Sequence, residues 1–165
     1  MERSSKSVDA SEFREAMREV ASGVTIVTSG SGERARGMTA TAFNSLSAEP
    51  PSVLVCVNRD AECHRVITDT GVFCINVLGA AARQLANHFA GRDGVKGAAR
   101  FQMGDWATLS TGAPVLTDAL VAFDCRLREA IDAGTHTIFI GDVAALSKTG
   151  GNALVYRQSG FAPLA

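Results

Sequence analysis

Apolar positions recur along the chain with two different periods. Phe13, Ala16, Met17, Val20 and Ala21 form one stripe at helical spacing. Asp9 precedes the stripe and Glu12 stands three residues after it, the capping-box spacing, so a helix is predicted from Asp9 to a stop at Gly23. Beyond Gly23 the pattern changes to short β-branched or alternating runs. Residues 24–28 and 37–43 flank the turn residues Ser29-Gly30-Ser31-Gly32 and read as a hairpin. Residues 52–58 and 72–78 are continuous apolar runs of buried-strand length. Between them 61–69 reads as a short helix, and Ala82, Leu85, Ala86 and Phe89 mark another. Residues 91–118 are rich in Gly, Asp and Thr with few periodic apolar positions, the mark of a long irregular excursion with a functional or interfacial role. Val121, Phe123, Cys125 and Leu127 then alternate onto one face of a strand over 120–129. Asp132-Ala133-Gly134 turns the chain into a long strand, 135–146, and 154–157 is a last short one. Six or more strands, about three short helices and no regular βαβα alternation predict a mainly β fold: an antiparallel, Greek-key-like barrel with peripheral helices.

Composition narrows the setting. With 165 residues the chain is predicted to form a single domain over 9–165 behind a frayed polar tail at 1–8. Sixteen basic against seventeen acidic residues leave no excess for a nucleic-acid partner. No apolar run reaches the length of a membrane span, and no apolar stretch follows Met1-Glu2-Arg3-Ser4-Ser5-Lys6, so a cytoplasmic protein is expected. Cys56, Cys63, Cys74 and Cys125 contain no Cys-x-x-Cys pair, and three of them sit in apolar runs, so they read as buried reduced thiols. Cys63 and His64 are adjacent and rarely could aim at one metal ion.

Familiar catalytic signatures are absent: there is no Gly-x-Ser-x-Gly elbow and no phosphate-binding Gly-x-x-x-x-Gly-Lys-Ser/Thr loop. Gly30-Ser31-Gly32-Glu33-Arg34-Ala35 fits the looser dinucleotide pattern, but the Gly- and Thr-rich residues behind it do not build the required helix, so a plain turn is the better reading. The stretch Gly37-Met38-Thr39-Ala40-Thr41-Ala42-Phe43-Asn44-Ser45-Leu46-Ser47 is more informative. Small residues there let a planar ligand lie against the backbone, with hydroxyls and N–H groups for its acceptor edge and a phosphate; on chemistry alone a strand with solvent-facing Thr and Ser is the plainer reading of the same residues. Arg59, in Asn58-Arg59-Asp60 before a helix start, suits a phosphate or a solvated turn. His64 and His88 fall on helices, where a surface or core-edge role is expected, whereas His136 stands at a strand mouth in Gly134-Thr135-His136-Thr137, where it can orient a ligand or simply hydrogen-bond a carbonyl.

Taken in order, these segments resemble the short-chain flavin reductases, the small components of two-component flavin-dependent monooxygenases of the 4-hydroxyphenylacetate and chlorophenol type. The resemblance rests on residues 37–47 with Pro50-Pro51, Leu54-Val55-Cys56-Val57-Asn58-Arg59, Phe73-Cys74-Ile75-Asn76-Val77-Leu78, His88-Phe89-Ala90-Gly91, Arg100-Phe101 with Trp106, Gly112-Ala113-Pro114-Val115-Leu116, Phe123-Asp124-Cys125, residues 134–141 and Leu154-Val155-Tyr156. It implies a split-barrel FMN-binding fold and a homodimer with the flavin near the interface. It would set the flavin ring against Thr39, Ala40, Thr41 and Ala42, and place Asn44, Ser45, Ser47, Asn58 and Arg59 near the ribityl chain and phosphate. Phe89 and Arg92 would border the flavin or the pyridine nucleotide, His136 would orient the nicotinamide, and Tyr156 would lie close by. Where relatives often carry a Ser after the Asn-Arg pair, this chain has Asp60-Ala61-Glu62, which bears on flavin affinity and on the choice of FMN or FAD. The implied activity is hydride transfer from NADH, or NADPH, to FMN or FAD, with reduced flavin supplied to a separate monooxygenase. Reduction of another acceptor, such as a corrinoid cobalt or a ferric chelate, is the alternative enzyme; a non-enzymatic flavin-binding electron carrier and a flavin-free barrel are the alternatives of another class.

Overall fold

The computed structural model describes residues 7–164, so most of the expected tail at 1–8 lies outside the described residues; Ser7 and Val8, within them, are exposed. The Asp9 carboxylate accepts the backbone N–H groups of Ser11 at 2.7 Å and Glu12 at 2.9 Å, and the Glu12 carboxylate accepts that of Asp9 at 3.0 Å. This capping box starts α1 (Ala10–Met17), which ends before the predicted stop at Gly23. Arg18, Glu19 and Val20 instead donate to carbonyls three residues back, tightening the chain before it enters a strand.

The strands follow as β1 (Ser22–Gly23), β2 (Thr25–Ser29), β3 (Arg36–Ala40), β4 (Phe43–Ala48), β5 (Pro51–Asn58), β6 (Val72–Val77), β7 (Trp106–Thr108), β8 (Pro114–Leu116), β9 (Val121–Ala133), β10 (His136–Lys148), β11 (Leu154–Arg157) and β12 (Gly160–Pro163). Helix α2 (Glu62–Thr70) follows β5, and α3 (Arg83–Phe89) follows β6. Seven strands make one antiparallel sheet in the order β3-β2-β6-β9-β10-β5-β4. Its two edge strands, β3 and β4, are separated in sequence only by Thr41 and Ala42. Three Cα steps span at most about 11 Å. The sheet must therefore roll until the end of β3 and the start of β4 nearly meet, at a seam bridged by Thr41 and Ala42. Among the described residues the outer edge of each has no strand partner, so backbone polar groups stay available there.

Both faces of part of this sheet are buried. Val27, Val55, Phe73, Ile75, Cys125 and Phe139 form one core cluster with Cys63 and Ile67 of α2. Ile26, Cys74 and Ala122 face a second cluster with Phe89, Val115, Leu116 and Leu154. The predicted alternation on β9 is corrected in part: of the expected core positions only Cys125 is fully buried, Val121, Phe123 and Leu127 are half-buried, and Ala122 and Asp124 between them are fully buried. The excursion at 91–118 is less irregular than its composition predicts. It contains a 3₁₀ segment (Gly97–Gln102) and the antiparallel pair β7–β8, and its Ala113, Val115 and Leu116 are buried. These residues are held by other elements, so they need no period of their own. The Gly-x-Gly-x-x-Ala stretch forms only one 3₁₀ turn (Gly32–Arg34) within the β2–β3 hairpin. Among the described residues no helix is long and apolar enough to cross a membrane.

Candidate functional site

Three segments meet beside β3, the seam-edge strand. Arg36, Gly37, Met38 and Thr39 of β3, Ala61, Glu62 and Cys63 at the start of α2, Phe89 and Ala90 at the end of α3, and Lys96, Gly97 and Arg100 enclose a cavity of about 350 Å³. That volume is in the range of small-molecule sites. Phe89 forms its apolar wall and is held edge-on by Phe101, with ring centroids 5.2 Å apart. The Thr39 hydroxyl donates to the Ala86 carbonyl at 2.6 Å, tying β3 to α3.

The polar lining is mostly cationic. Arg36 donates to the carbonyls of Glu33 at 2.9 Å and Ala35 at 2.8 Å, and its Nε stands 3.2 Å from the Glu62 carboxylate. Arg100 donates to the carbonyls of Val95, Gly37 and Phe89 at 2.9, 3.0 and 3.1 Å. Among the described residues Arg100 has no carboxylate partner, and Lys96 makes neither an ion pair nor a side-chain hydrogen bond. Burial pushes the Cys63 thiol up to about 12 although Arg100 and Arg36 oppose the shift, so it stays a neutral wall group. His88 braces the loop that carries Lys96. Its Nδ1 lies 2.5 Å from the Asp93 carboxylate and its Nε2 2.9 Å from the Arg100 carbonyl. The hydrogen bond from His88, and then that from the Val95 N–H, hold the Asp93 carboxyl below its ordinary range.

A second set of polar residues lies at the end of the β5–β10 ladder. His136 pairs with Asn58, Ile138 with Cys56 and Ile140 with Leu54. Asn44 pairs with Leu54 across β4 and β5. Directly paired residues share a face, so Asn44, Asn58 and His136 stand on one side of the sheet with Leu54, Cys56, Ile138 and Ile140. The Asn58 carboxamide accepts the Asp60 N–H at 2.9 Å and shapes the turn into α2. That turn leads, within three residues of Asn58, to Ala61 on the cavity wall.

The sequence pattern described as "Flavin reductase like domain" matches residues 17–165. The chain belongs to the flavin reductase family. A relative, "FMN reductase (NADH) RutF 2" of Methylorubrum extorquens (strain PA1), is 48% identical over 153 residues, covering 92% of this chain and 87% of its own length. BorF, the flavin reductase component of a bacterial two-component tryptophan halogenase, matches in structure with a TM-score of 0.86 at 37% identity, over 94% of this chain and 98% of its own. The NADH:FAD oxidoreductase SgcE6 of Streptomyces globisporus C-1027 gives 0.86 at 34% identity, over 95% and 94%. The antiparallel fold described above is thus the one flavin reductases use.

For this flavin reductase, the donor set suits a phosphorylated planar ligand. Three cationic side chains face one carboxylate beside an aromatic wall, and a strand edge without a partner lies next to them. The residues singled out in the sequence fall in several places. Thr39 and Phe89 line the cavity. Ala40 is buried in the sheet's core cluster, while Thr41 and Ala42 bridge the seam, half-buried and exposed. Asn44 and Ser45 are exposed on β4, and Ser47 exchanges hydrogen bonds of 3.2 Å with the Glu49 backbone. Arg59 is exposed and reaches the hairpin tip, its Nη1 3.4 Å from the Gly134 carbonyl. Arg92 lies away from the cavity lining, donating to Asn87 at 2.7 Å and standing over the Phe161 ring. Tyr156 packs on Phe161 and lines a separate groove along α1. Arg36, Lys96 and Arg100 escaped sequence reasoning as site residues. Arg100 stood within a family motif; nothing local marked the other two.

Proposed function

We propose that this chain is an NADH-dependent flavin reductase that reduces FMN, with FAD as a second flavin, and releases it to a separate monooxygenase. The cationic cavity beside the open seam carries this reading, and the names of the relatives support it. When bound, the flavin supplies the chemistry, accepting at N5 the hydride that leaves C4 of the nicotinamide. The protein's own work is placement. Arg36, Lys96 and Arg100 hold the phosphate end, and the Asn58–Ala61 turn lies along the ribityl chain. Backbone N–H groups from Thr39 to Ala42, along the outer edge of β3 and its link to β4, donate to the ring edge where negative charge grows on reduction. Asn44, Ser45, Ser47 and Arg59 border that groove, and Phe89 closes its inner wall.

His136 orients the nicotinamide from the face it shares with Asn58. Its Nδ1 lies 2.8 Å from the Thr135 hydroxyl, which steadies the ring. Losing one such contact costs about tenfold in binding. His136→Ala is therefore expected to raise KM for NADH about tenfold with the flavin dissociation constant unchanged; an unchanged KM would remove the role.

The protein acts as a homodimer in this reading. Leu54, Cys56, Ile138 and Ile140 form an outward apolar strip, continued by Ile131, which pairs with Ile138 and is 42% exposed. A second copy is the natural cover for such a strip, and sedimentation velocity should give a dimer mass. The deciding assay follows NADH absorbance with purified protein and added FMN or FAD. Flavin-dependent NADH loss is expected, and no loss with either flavin would overturn the reading.

A further inference from the structure

The cavity holds one negative charge where its ligand would bring more. Glu62 is the first residue of α2, and its carboxylate is committed to Arg36 at 3.2 Å. The Arg36 side chain is 27% exposed and that of Glu62 63% exposed, so the acid can swing outward while the guanidinium stays in the wall. Two further Arg36 hydrogen bonds, to the Glu33 and Ala35 carbonyls, hold that guanidinium in place whether or not Glu62 is paired. Lys96 and Arg100 complete the cationic lining without a carboxylate of their own among the described residues.

We propose that Glu62 is a competing anion at the phosphate end of the flavin groove. It neutralises Arg36 while the groove is empty and must yield Arg36 when a phosphate arrives. A flavin phosphate carries between one and two negative charges near neutrality, by analogy with other phosphate monoesters. It therefore meets both repulsion from Glu62 and the loss of the Arg36–Glu62 pair. Riboflavin carries no phosphate and meets neither. Glu62 thus lowers the preference for phosphorylated over unphosphorylated flavin and keeps FMN exchangeable, as suits a flavin that leaves after reduction. The inference rests on the reductase reading above and names the residue that sets its flavin selectivity.

Removing one like charge beside a phosphate at a largely exposed site changes affinity by about fivefold. The test is titration of the full-length protein with FMN and with riboflavin, followed by quenching of flavin fluorescence, for the wild type, Glu62→Gln and Glu62→Asp. Glu62→Gln is expected to tighten FMN about fivefold and leave riboflavin within twofold, and the gain should shrink in high salt. Glu62→Asp keeps the charge and should stay near the wild-type FMN-to-riboflavin ratio. Equal tightening of both flavins would mean a steric role and would overturn the proposal, as would no change in either. Wild-type protein that binds neither flavin would overturn the reductase reading as well, which separates the two failures.

Discussion

Asn76→Leu is expected to lower the unfolding free energy by about 3 kcal/mol or more, although it keeps the branched outline of the side chain. Asn76 is fully buried in β6. Its amide donates to the Ile26 carbonyl at 3.0 Å and lies 3.3 Å from the Thr28 hydroxyl; its carbonyl accepts the Leu116 N–H at 2.8 Å. One side chain therefore joins β2, β6 and β8. Leucine would leave the Leu116 N–H and the Thr28 hydroxyl with fewer partners in a site closed to water, and each such group costs about 1–3 kcal/mol. The Thr28 hydroxyl also donates to the Pro114 carbonyl at 2.5 Å, so the change loosens both ends of β8. That strand closes the segment carrying Lys96 and Arg100, and FMN binding should weaken before the seven-stranded sheet itself melts. Urea unfolding measures the effect, and a loss below about 1 kcal/mol would show that Asn76 is not the clasp.

Gly37→Ala should destabilise by about 1–3 kcal/mol and weaken flavin binding together. The backbone of Gly37 is ordinary strand, so the conflict is purely steric. A Cβ there would lie 2.7 Å from Phe89 Cε1, 2.9 Å from its Cδ1 and 3.2 Å from Phe101 Cζ. The Phe89 ring cannot retreat easily, because Phe101 and Trp106 pack against it with centroids at 5.2 and 5.4 Å. Since Gly37 and Phe89 both line the cavity, the displaced ring also disturbs the ligand wall. Adding Phe89→Leu should restore part of the lost stability, since the shorter side chain frees the space the methyl needs. A Gly37→Ala protein that melts with the wild type and binds FMN equally would refute the close-packing account.

Local elements were legible where the cause is local. The Asp9–Glu12 capping box acts over three residues and forms as its spacing implies. The strand runs around Val53, Ile75 and Phe139 announce themselves by apolar content, and the turn at Gly134, with φ of +60°, opens the β9–β10 hairpin where its composition predicts. Helix α1 was legible only at its start, since its end depends on β1 pairing with β11 far along the chain. The pair β7–β8 was hidden because Trp106, Val115 and Leu116 owe their burial to α3 and β6 rather than to each other. The short strand β12 was missed for the same reason: it exists only as the partner of β11.

The sequence alone determined the mainly β class, the order of most elements, the small-residue stretch from Gly37 to Ser47 and the family the chain resembles, because periodicity, capping and motif order are properties of neighbouring residues. Only the tertiary structure decided that the edge strands β3 and β4 meet at Thr41 and Ala42, that Asn58 and His136 are partners, and that Arg36, Lys96 and Arg100 surround one cavity with Glu62. Charge carries no period, and residues 64 positions apart become neighbours only when a sheet rolls and a distant loop folds back over its open edge.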